Sequence, residues 1–185
     1  MTATLIIPGF NGSDQGHWQR FWLQDHPDSV LVEQEDWGAP LVDRWAARLE
    51  LALLQHGEAF IVAHSLGCLL AAKFADRPSA RRIKGALLVA PCDLRPTEKR
   101  HPGAVRFGSM PTHRLPFPSI TVGSLNDHYM ELDRLTLYAH LWKTDLRNIG
   151  LAGHINISSG FGRWTGGYTL FESLKEKSKA PRRYA

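Results

Sequence analysis

The sequence predicts a three-layer α/β fold, in which a mostly parallel sheet of about six strands carries helices on both faces. Short apolar runs recur along the chain, and helical patterns separate most of them. Several runs are apolar at every position, as in 85–90, which is typical of parallel strands buried on both faces. Neither an internal repeat nor a low-complexity linker interrupts this pattern. Residues 1–185 are therefore expected to form a single compact domain.

The strands are predicted from short runs rich in β-branched and other apolar residues. Phe60, Ile61 and Val62 are the clearest example, because aromatic and β-branched side chains favour a buried strand. In a doubly wound sheet, the loops at the carboxyl ends of such strands form the active site. The predicted strands are 4–7, 29–32, 60–62, 85–90, 119–123 and a weaker 144–149.

The helices are predicted from apolar spacing and composition. Aromatic residues at 18, 21 and 22 cluster on one side of the first helix, which favours packing against a core. Pro40 suits the first turn of a second helix, in which apolar residues at 41, 45, 49 and 53 form a core-facing stripe. The third is rich in Leu and Ala and free of proline. The predicted helices are 16–25, a segment following Pro40, 66–74, 132–142 and 168–177.

Residues 91–118 break the alternation of strands and helices. The segment contains six prolines and no sustained apolar period. Because it follows the carboxyl end of a predicted strand, it is expected to lie over the active site as a long covering loop. A partly mobile surface loop is an equally good interpretation of the same composition.

The basic charge of the chain is concentrated at its carboxyl end. The formal net charge is +4, and the five basic residues and one acidic residue of 173–185 account for all of it. A nucleic-acid-binding protein is expected to carry a basic stripe on its folded body instead, so no nucleic-acid partner is predicted. The tail 175–185 has no apolar period and is expected to be solvated and frayed.

Targeting signals and cysteine usage favour a cytoplasmic protein. The first residues lack a basic leader and turn into a Pro-Gly loop, unlike a signal peptide, and no run approaches the length of a membrane span. Cys68 and Cys92 lack metal-ligand spacing and are expected to be free thiols in a reducing compartment. No membrane association, metal or cofactor is therefore predicted.

The segment 59–72 predicts a nucleophile. The pattern predicts a strand followed directly by a helix, so the chain must reverse at Ser65 in a very sharp turn. The small residues Ala63 and Gly67 let backbone approach a serine held in a strained conformation. This is the pattern of the nucleophile elbow of α/β-hydrolases, with Ala in place of the usual first Gly. The alternative is a serine that only caps a helix.

The loop 8–13 is the candidate for an oxyanion hole. Its glycines favour a tight turn in which backbone N–H groups point inward. In an α/β-hydrolase one donor comes from such an early loop and the other from the residue after the nucleophile. The candidate donors are the amides of Phe10 and Leu66, with Asn11 a weaker candidate than Phe10. A Gly-rich turn without a catalytic role is the alternative.

A serine hydroxyl needs a base, and the base needs a carboxylate to orient it. Of nine histidines, His154 alone sits just after the last predicted strand, where an α/β-hydrolase carries its base. His64 adjoins the serine and is expected to project away from its hydroxyl. Asp127 follows the strand 119–123 and is the preferred acid, while Asp93, one strand earlier, remains the rival.

The chain resembles a family of small serine hydrolases that includes YdeN-like bacterial proteins and the vertebrate retinoblastoma-binding serine hydrolase. The most specific motif is Gly-His-Ile-Asn at 153–156, followed by Ser-Gly-Phe-Gly at 159–162. Two positions differ from the usual pattern, since Ala63 replaces a frequent Gly and His128 a usual Pro. The other matching segments are 8–13, 17–18, 64–67, 89–91, 115–119, 126–127, 146–150 and Trp164.

This resemblance implies a compact α/β-hydrolase with a Ser65–Asp127–His154 triad, a reduced cap and esterase-like activity on small acyl esters. The predicted function is a carboxylesterase-like serine hydrolase acting on a small-molecule acyl substrate through an acyl-enzyme. A thioesterase, amidase or acyltransferase with the same triad is an alternative, as is a non-catalytic protein-binding module with this fold. The residues expected to line the substrate pocket are Asn11, Trp18, Trp37 and Trp164.

Overall fold

A computed structural model describes residues 2–179 of the chain. Within this range one sheet of six strands is formed, in the order β2-β1-β3-β4-β5-β6, and every neighbouring pair is parallel. The α/β fold predicted from the sequence is confirmed. The strands are β1 Ala3–Ile7, β2 Ser29–Leu31, β3 Ala59–His64, β4 Ile83–Val89, β5 Ser119–Gly123 and β6 Asp145–Asn148.

In the described part of the chain, six α-helices connect and cover these strands, together with 3₁₀ turns at Pro78–Arg82 and Ile157–Ser159. The helix predicted at 66–74 has those bounds, as does the one at 132–142. Pro40 precedes the second helix and its cap rather than occupying the first turn. The helices are α1 Trp18–Asp25, α2 Val42–His56, α3 Leu66–Phe74, α4 Leu94–Arg100, α5 Leu132–Trp142 and α6 Thr165–Lys179.

The core is divided by the sheet, because successive side chains of a strand point to opposite faces. Ala63 and Leu88 pack on the face covered by α2, α3 and α5, whereas Val62 and Leu87 pack on the face covered by α1 and α6. Both sets of side chains are buried. Because the central strands are buried on both faces, their sequences are continuous apolar runs.

The order of the strands places the functional loops together. The chain runs outward from β1 to β2 and then returns to pair β3 on the other side of β1. Ligands of open α/β sheets bind where the order of strands reverses in this way, at the carboxyl ends of the strands. Here the loop after β1 and the turn after β3 are therefore adjacent.

Residues 91–118 are not a continuous loop, because α4 lies within them. Asp93 caps this helix by accepting a hydrogen bond from the Arg95 amide. Pro96 falls in the first turn, where its missing N–H has no helical partner to lose. The remainder still covers the core, since Phe107 and Leu115 are buried.

The expected frayed tail began at residue 175, but α6 continues to Lys179. Lys175 and Lys179 pair with Glu172 and Glu176 one turn earlier, and Lys177 pairs with Asp145 of β6. Such pairs support the last turns of a helix. Residues 180–185 of the expected tail lie outside the described residues. No helix within residues 2–179 has the length and apolarity needed to cross a lipid bilayer.

The outermost strands are the shortest of the sheet, with three residues in β2 and four in β6. The side chains of β6 include Asp145, which accepts hydrogen bonds from Arg147 and Lys177. These interactions, with desolvation opposing them, hold the pKa of Asp145 below its usual value. The edge of the sheet therefore carries paired charge.

The start of α3 lies against the end of β1 so closely that only glycine fits there. A Cβ atom added to Gly67 would lie 2.4 Å from the Ile7 carbonyl oxygen and 2.6 Å from that of Pro8. Both neighbours are backbone atoms and cannot rotate away as a side chain can. The approach of these two segments sets the distance between the loop after β1 and Ser65.

We expect Gly67→Ala to lower the free energy of unfolding by at least about 1–3 kcal/mol, because the added methyl group forces the two backbone segments apart. Denaturant unfolding followed by circular dichroism measures this change. Gly162→Ala is the matched control, since its Cβ would meet nothing closer than 3.7 Å. Equal stabilities of the two variants would contradict the proposed constraint.

Candidate active site

Ser65 occupies the turn between β3 and α3 and has positive backbone φ, with φ 53° and ψ −120°. Non-glycine residues seldom adopt positive φ, and those that do are frequent at active sites. The backbone is held there by the Ser65 amide, which donates to the Val89 carbonyl over 3.0 Å. The side chain is half-buried and therefore remains accessible from the carboxyl end of the sheet.

The hydroxyl of Ser65 lies 2.9 Å from Nε2 of His154, and Nδ1 of the same imidazole lies 2.8 Å from Oδ2 of Asp127. A carboxylate can only accept, so Nδ1 carries the proton in the neutral ring. Nε2 is then an acceptor for the serine hydroxyl. Ser65, His154 and Asp127 are thus connected in this order by two hydrogen bonds.

The imidazole and the carboxylate are both buried, with side-chain exposures of 5% for His154 and 3% for Asp127. The second carboxylate oxygen, Oδ1, accepts a hydrogen bond from the Tyr129 amide over 2.8 Å. The Tyr129 ring packs against the His154 ring, with centroids 4.4 Å apart. Asp127 is therefore fixed by the chain that follows it, even though His128 replaces the proline usual in the resembled family.

Asp93, the rival acid, has different partners for both of its carboxylate oxygens. Oδ2 accepts from the Arg134 guanidinium at 2.7 Å, and Oδ1 accepts from the Arg95 amide. The interaction with Asp93 is the main cause that raises the pKa of Arg134. The carboxylate of Asp93 thus serves an ion pair and the cap of α4 rather than the imidazole.

The loop after β1 packs directly against the serine. A Cβ on Gly9 would lie 2.8 Å from Cβ of Ser65 and 3.3 Å from the Leu66 nitrogen, so glycine permits this contact. The Asn11 amide donates to the Trp37 carbonyl over 2.9 Å and is turned away from the serine. Phe10 and Leu66, the other candidate donors, line the cavity at Ser65. Their amides are not engaged with Trp37 as the Asn11 amide is.

A cavity of about 280 Å³ opens above Ser65. Its walls carry many hydrogen-bonding groups as well as apolar surface. His101 and Tyr129 form part of one wall, with His101 Nε2 and the Tyr129 hydroxyl 3.2 Å apart. Asn11, one of the residues expected in the pocket, lines the cavity. The other lining side chains include Phe10, His17, Leu66, Thr97, Asn156 and Ile157.

The three tryptophans expected in the pocket do not line this cavity. Trp18 is 1% exposed and packs against Trp164 on the face of the sheet covered by α1 and α6, with ring centroids 5.6 Å apart. Trp37 packs edge-to-face on the buried Trp45. Trp18 is thus a core residue, whereas Trp37 and Trp164 are half-buried and pack against the core from its margin.

Two further histidines surround the imidazole of His154. His64 is buried, its ring lies 5.0 Å from that of His154, and its Nε2 donates to the His154 carbonyl oxygen over 2.9 Å. Burial chiefly, with the neighbouring histidines, holds the pKa of His64 well below its usual value. Burial, followed by the charges of His154 and Arg20, lowers the pKa of His17 to about 4.

Cys92 lies close enough to hydrogen-bond with Ser65 and Thr97, and it is fully buried. Burial raises the pKa of its thiol to about 12, while the hydrogen bonds partly oppose this change. Cys68 is also buried and free, and burial raises its pKa. Since a neutral thiol is a weak nucleophile, the cysteines do not compete with the serine.

His101 and Tyr129 line the site but were not predicted from the sequence. Tyr129 could have been suspected from its place two residues after Asp127. His101 had no local signal, because it belongs to the segment interpreted as a covering loop. As for metals, residues 2–179 contain no group of three His, Cys, Asp or Glu side chains placed to hold an ion.

A profile of the serine hydrolase family matches residues 4–173. A solved structure described as a YdeN-like hydrolase from Pectobacterium atrosepticum is 28% identical, covers 96% of this chain and 92% of its own, and has a TM-score of 0.83. For the ydeN gene product of B. subtilis the identity is 18%, the coverages are 95% and 100%, and the TM-score is 0.75. No curated protein matched the chain.

Esterase 2 of Thermogutta terrifontis, in a form phosphonylated by cyclosarin, is also similar in structure. It is 17% identical, with 95% of this chain and 82% of its own covered, and a TM-score of 0.68. At this level of identity the likeness concerns the fold. The α/β-hydrolase fold and the YdeN-like resemblance drawn from the sequence are confirmed by these matches.

Because the pKa of His17 is lowered, the free energy of unfolding is expected to depend on pH. In the unfolded chain an imidazole titrates near pH 6.5, whereas in the folded protein His17 titrates near pH 4. As the pH falls from 6.5 towards 4, only the unfolded chain gains this proton, so folding stability is lost. The loss from His17 is at most about 3 kcal/mol.

We expect His17→Asn to flatten the decline in the free energy of unfolding between pH 6.5 and pH 4, as measured by urea unfolding. Asn is chosen because His17 caps α1 by accepting from the Gln19 amide, and Asn can do the same. His56→Asn, at an exposed histidine, controls for the removal of one ring. Parallel pH profiles for His17→Asn and the wild type would refute the prediction.

Proposed function

This chain belongs to the serine hydrolase family, and we propose that it is a carboxylesterase that cleaves small acyl esters through Ser65, His154 and Asp127. The observation that carries the proposal is the line of hydrogen bonds from Ser65 Oγ through the imidazole to Asp127, with distances of 2.9 and 2.8 Å. Nucleophile, base and orienting acid need this mutual geometry.

In the first half of the reaction, Oγ of Ser65 attacks the carbonyl carbon of the ester. The hydroxyl proton passes to Nε2 of His154 as the new C–O bond forms. The resulting imidazolium keeps its Nδ1 proton and is stabilised by the buried carboxylate of Asp127. When the tetrahedral intermediate collapses, Nε2 gives its proton to the leaving alcohol, and the acyl group stays on Ser65.

The negative charge that develops on the carbonyl oxygen needs donors already in place. We assign these to the backbone amides of Phe10 and Leu66. Support comes from the close packing of Gly9 on Ser65 and from the Asn11 amide, which is engaged with Trp37. Leu66 is also the first residue of α3, whose N-terminal N–H groups and dipole favour negative charge.

Water completes the cycle. It attacks the acyl-enzyme while Nε2 of His154 takes one of its protons, and the same proton returns to Oγ of Ser65 when the acid leaves. The cavity above Ser65 is open and partly polar, which allows water to reach the acyl carbonyl. A cavity of about 280 Å³ suits a small acyl or alcohol group, which is the reason for proposing small esters as substrates.

A fluorophosphonate probe tests the nucleophile. We expect the wild type to be labelled at Ser65 and Ser65→Ala to show neither labelling nor turnover of p-nitrophenyl acetate, with a loss of at least about 10³-fold. Ser173→Ala, at an exposed serine of α6, is the control and should be labelled like the wild type. Unlabelled but folded wild-type protein would favour a binding module instead.

The two aspartates give a second test. We expect Asp127→Asn to lower kcat by about 10²- to 10⁴-fold, because the imidazole loses the acceptor that sets its tautomer. Asp93→Asn should retain kcat within a few-fold and lower thermal stability, since Arg134 loses its partner. The assignment fails if Asp93→Asn abolishes turnover of the ester while Asp127→Asn spares it.

A further inference from the structure

His154 lies in a loop whose conformation is not the one its residues prefer. The next residue, Ile155, has φ 47°, in the left-handed region that β-branched residues avoid. Its side chain is fully buried, so the loop is anchored in the core below. Other contacts must therefore hold the main chain in this shape.

Three side chains from distant parts of the sequence donate hydrogen bonds to this main chain. The Ser124 hydroxyl donates to the Gly153 carbonyl oxygen over 2.7 Å, and the other two donors hold the two carbonyl groups that follow. Nε1 of Trp18, in α1, donates to the Ile155 carbonyl oxygen over 2.8 Å. Nε2 of His64, at the end of β3, donates to the His154 carbonyl oxygen over 2.9 Å. Trp18 and His64 therefore hold consecutive carbonyl groups, one of which belongs to the residue that faces Ser65.

The protonation of His64 suits this role. A carbonyl oxygen can only accept, so the proton of the neutral ring must sit on Nε2. Burial favours the neutral ring by lowering its pKa. The ring is also packed in place, because the Trp18 ring meets it edge-on with centroids 5.8 Å apart. Trp18 and His64 thus touch each other as well as the loop.

We infer that Trp18 and His64 form a clamp of positioning residues that holds the His154 loop, so that Nε2 of His154 stays within bonding distance of Ser65. The inference rests on the proposed function for its catalytic consequence. Catalytic groups must be held to about 0.5 Å, and a displacement of about 1 Å can cost about 10²-fold in rate. Loss of the Trp18 hydrogen bond therefore lowers kcat while leaving KM largely unchanged, because Trp18 does not line the cavity above Ser65, whereas His64 does.

The chain offers a matched control for Trp18. Trp22 lies one turn further along α1, is equally buried, and contacts the Trp18 ring edge-to-face. Its indole N–H has no hydrogen-bond partner among the described residues. Trp18→Phe and Trp22→Phe thus remove similar apolar volume from the same layer, but only the first removes a hydrogen bond to the loop.

We expect Trp18→Phe to lower kcat for p-nitrophenyl acetate and the rate of fluorophosphonate labelling about 10- to 100-fold, with KM within about twofold. Trp22→Phe should keep both rates within about twofold and lower Tm less than Trp18→Phe does, because only Trp18→Phe leaves a buried carbonyl group without its donor. Equal rates for the two variants would overturn the inference. If Trp18→Phe fails to fold, the His64 variants described next decide.

For His64, a conservative variant separates the hydrogen bond from the volume of the ring. The amide nitrogen of Gln lies about where Nε2 of His lies, so His64→Gln can still donate to the His154 carbonyl. His64→Leu cannot donate. We expect His64→Leu to lose about 10- to 100-fold in kcat and His64→Gln to recover most of it. Identical losses in both variants would overturn the role of this hydrogen bond.

A readout without turnover separates this inference from the proposed function. We expect the Nδ1 proton of His154, which is bonded to Asp127 over 2.8 Å, to give a low-field proton resonance that reports the placement of the ring. Trp18→Phe and His64→Leu should shift or broaden it, whereas Trp22→Phe and His64→Gln should not. If the wild type is never labelled at Ser65, the proposed function fails, but the resonance still decides whether the clamp exists.

Discussion

The hydrogen bond between His154 and Ser65 joins residues 89 positions apart, and the whole arrangement of the sheet is needed to form it. The serine follows β3, and the imidazole follows β6, three strands away in the sheet. Because the strands are parallel, their carboxyl ends lie on one edge, so loops after β3, β5 and β6 can meet there. Asp127, on the loop after β5, is between the two in sequence and supports the imidazole from the other side.

Elements with a strong local signal were predictable. The bounds of α3 and α5 and the six strands of residues 2–179 were predicted from apolar runs and helix-favouring composition, because these elements bury one face or both. The helix α4 was missed, since prolines in a segment without apolar period predict a loop. Its stability comes from the Asp93 cap and the ion pair with Arg134, a partner 41 residues away that no local pattern reveals. The last helix was predicted over 168–177, but residues from 175 were also expected to fray. The pairing of Lys177 with Asp145 on a distant strand, which supports the end of α6 at Lys179, has no local signal.

The residues of the candidate site also differ in how far the sequence predicts them. Ser65, Asp127 and His154 were predicted from motif and chain order, which the topology of the fold constrains. The walls of the cavity were predicted only in part: Asn11 lines it, but the three tryptophans do not, because the side on which a tryptophan packs depends on helix placement. Trp18 illustrates this point. It was expected to contact substrate, but it lies beneath the loop that carries His154 and donates a hydrogen bond to it. Its contribution to the site is therefore indirect.

The short outer strands bear on how the protein behaves at high concentration. A long, flat edge strand presents a row of unpaired amide and carbonyl groups to which a second chain can add. Here the outermost strands contain only three and four residues, and charged side chains paired with one another occupy β6. The edges therefore make a poor template for growth of the sheet from one molecule into the next, which protects against fibrillar self-association.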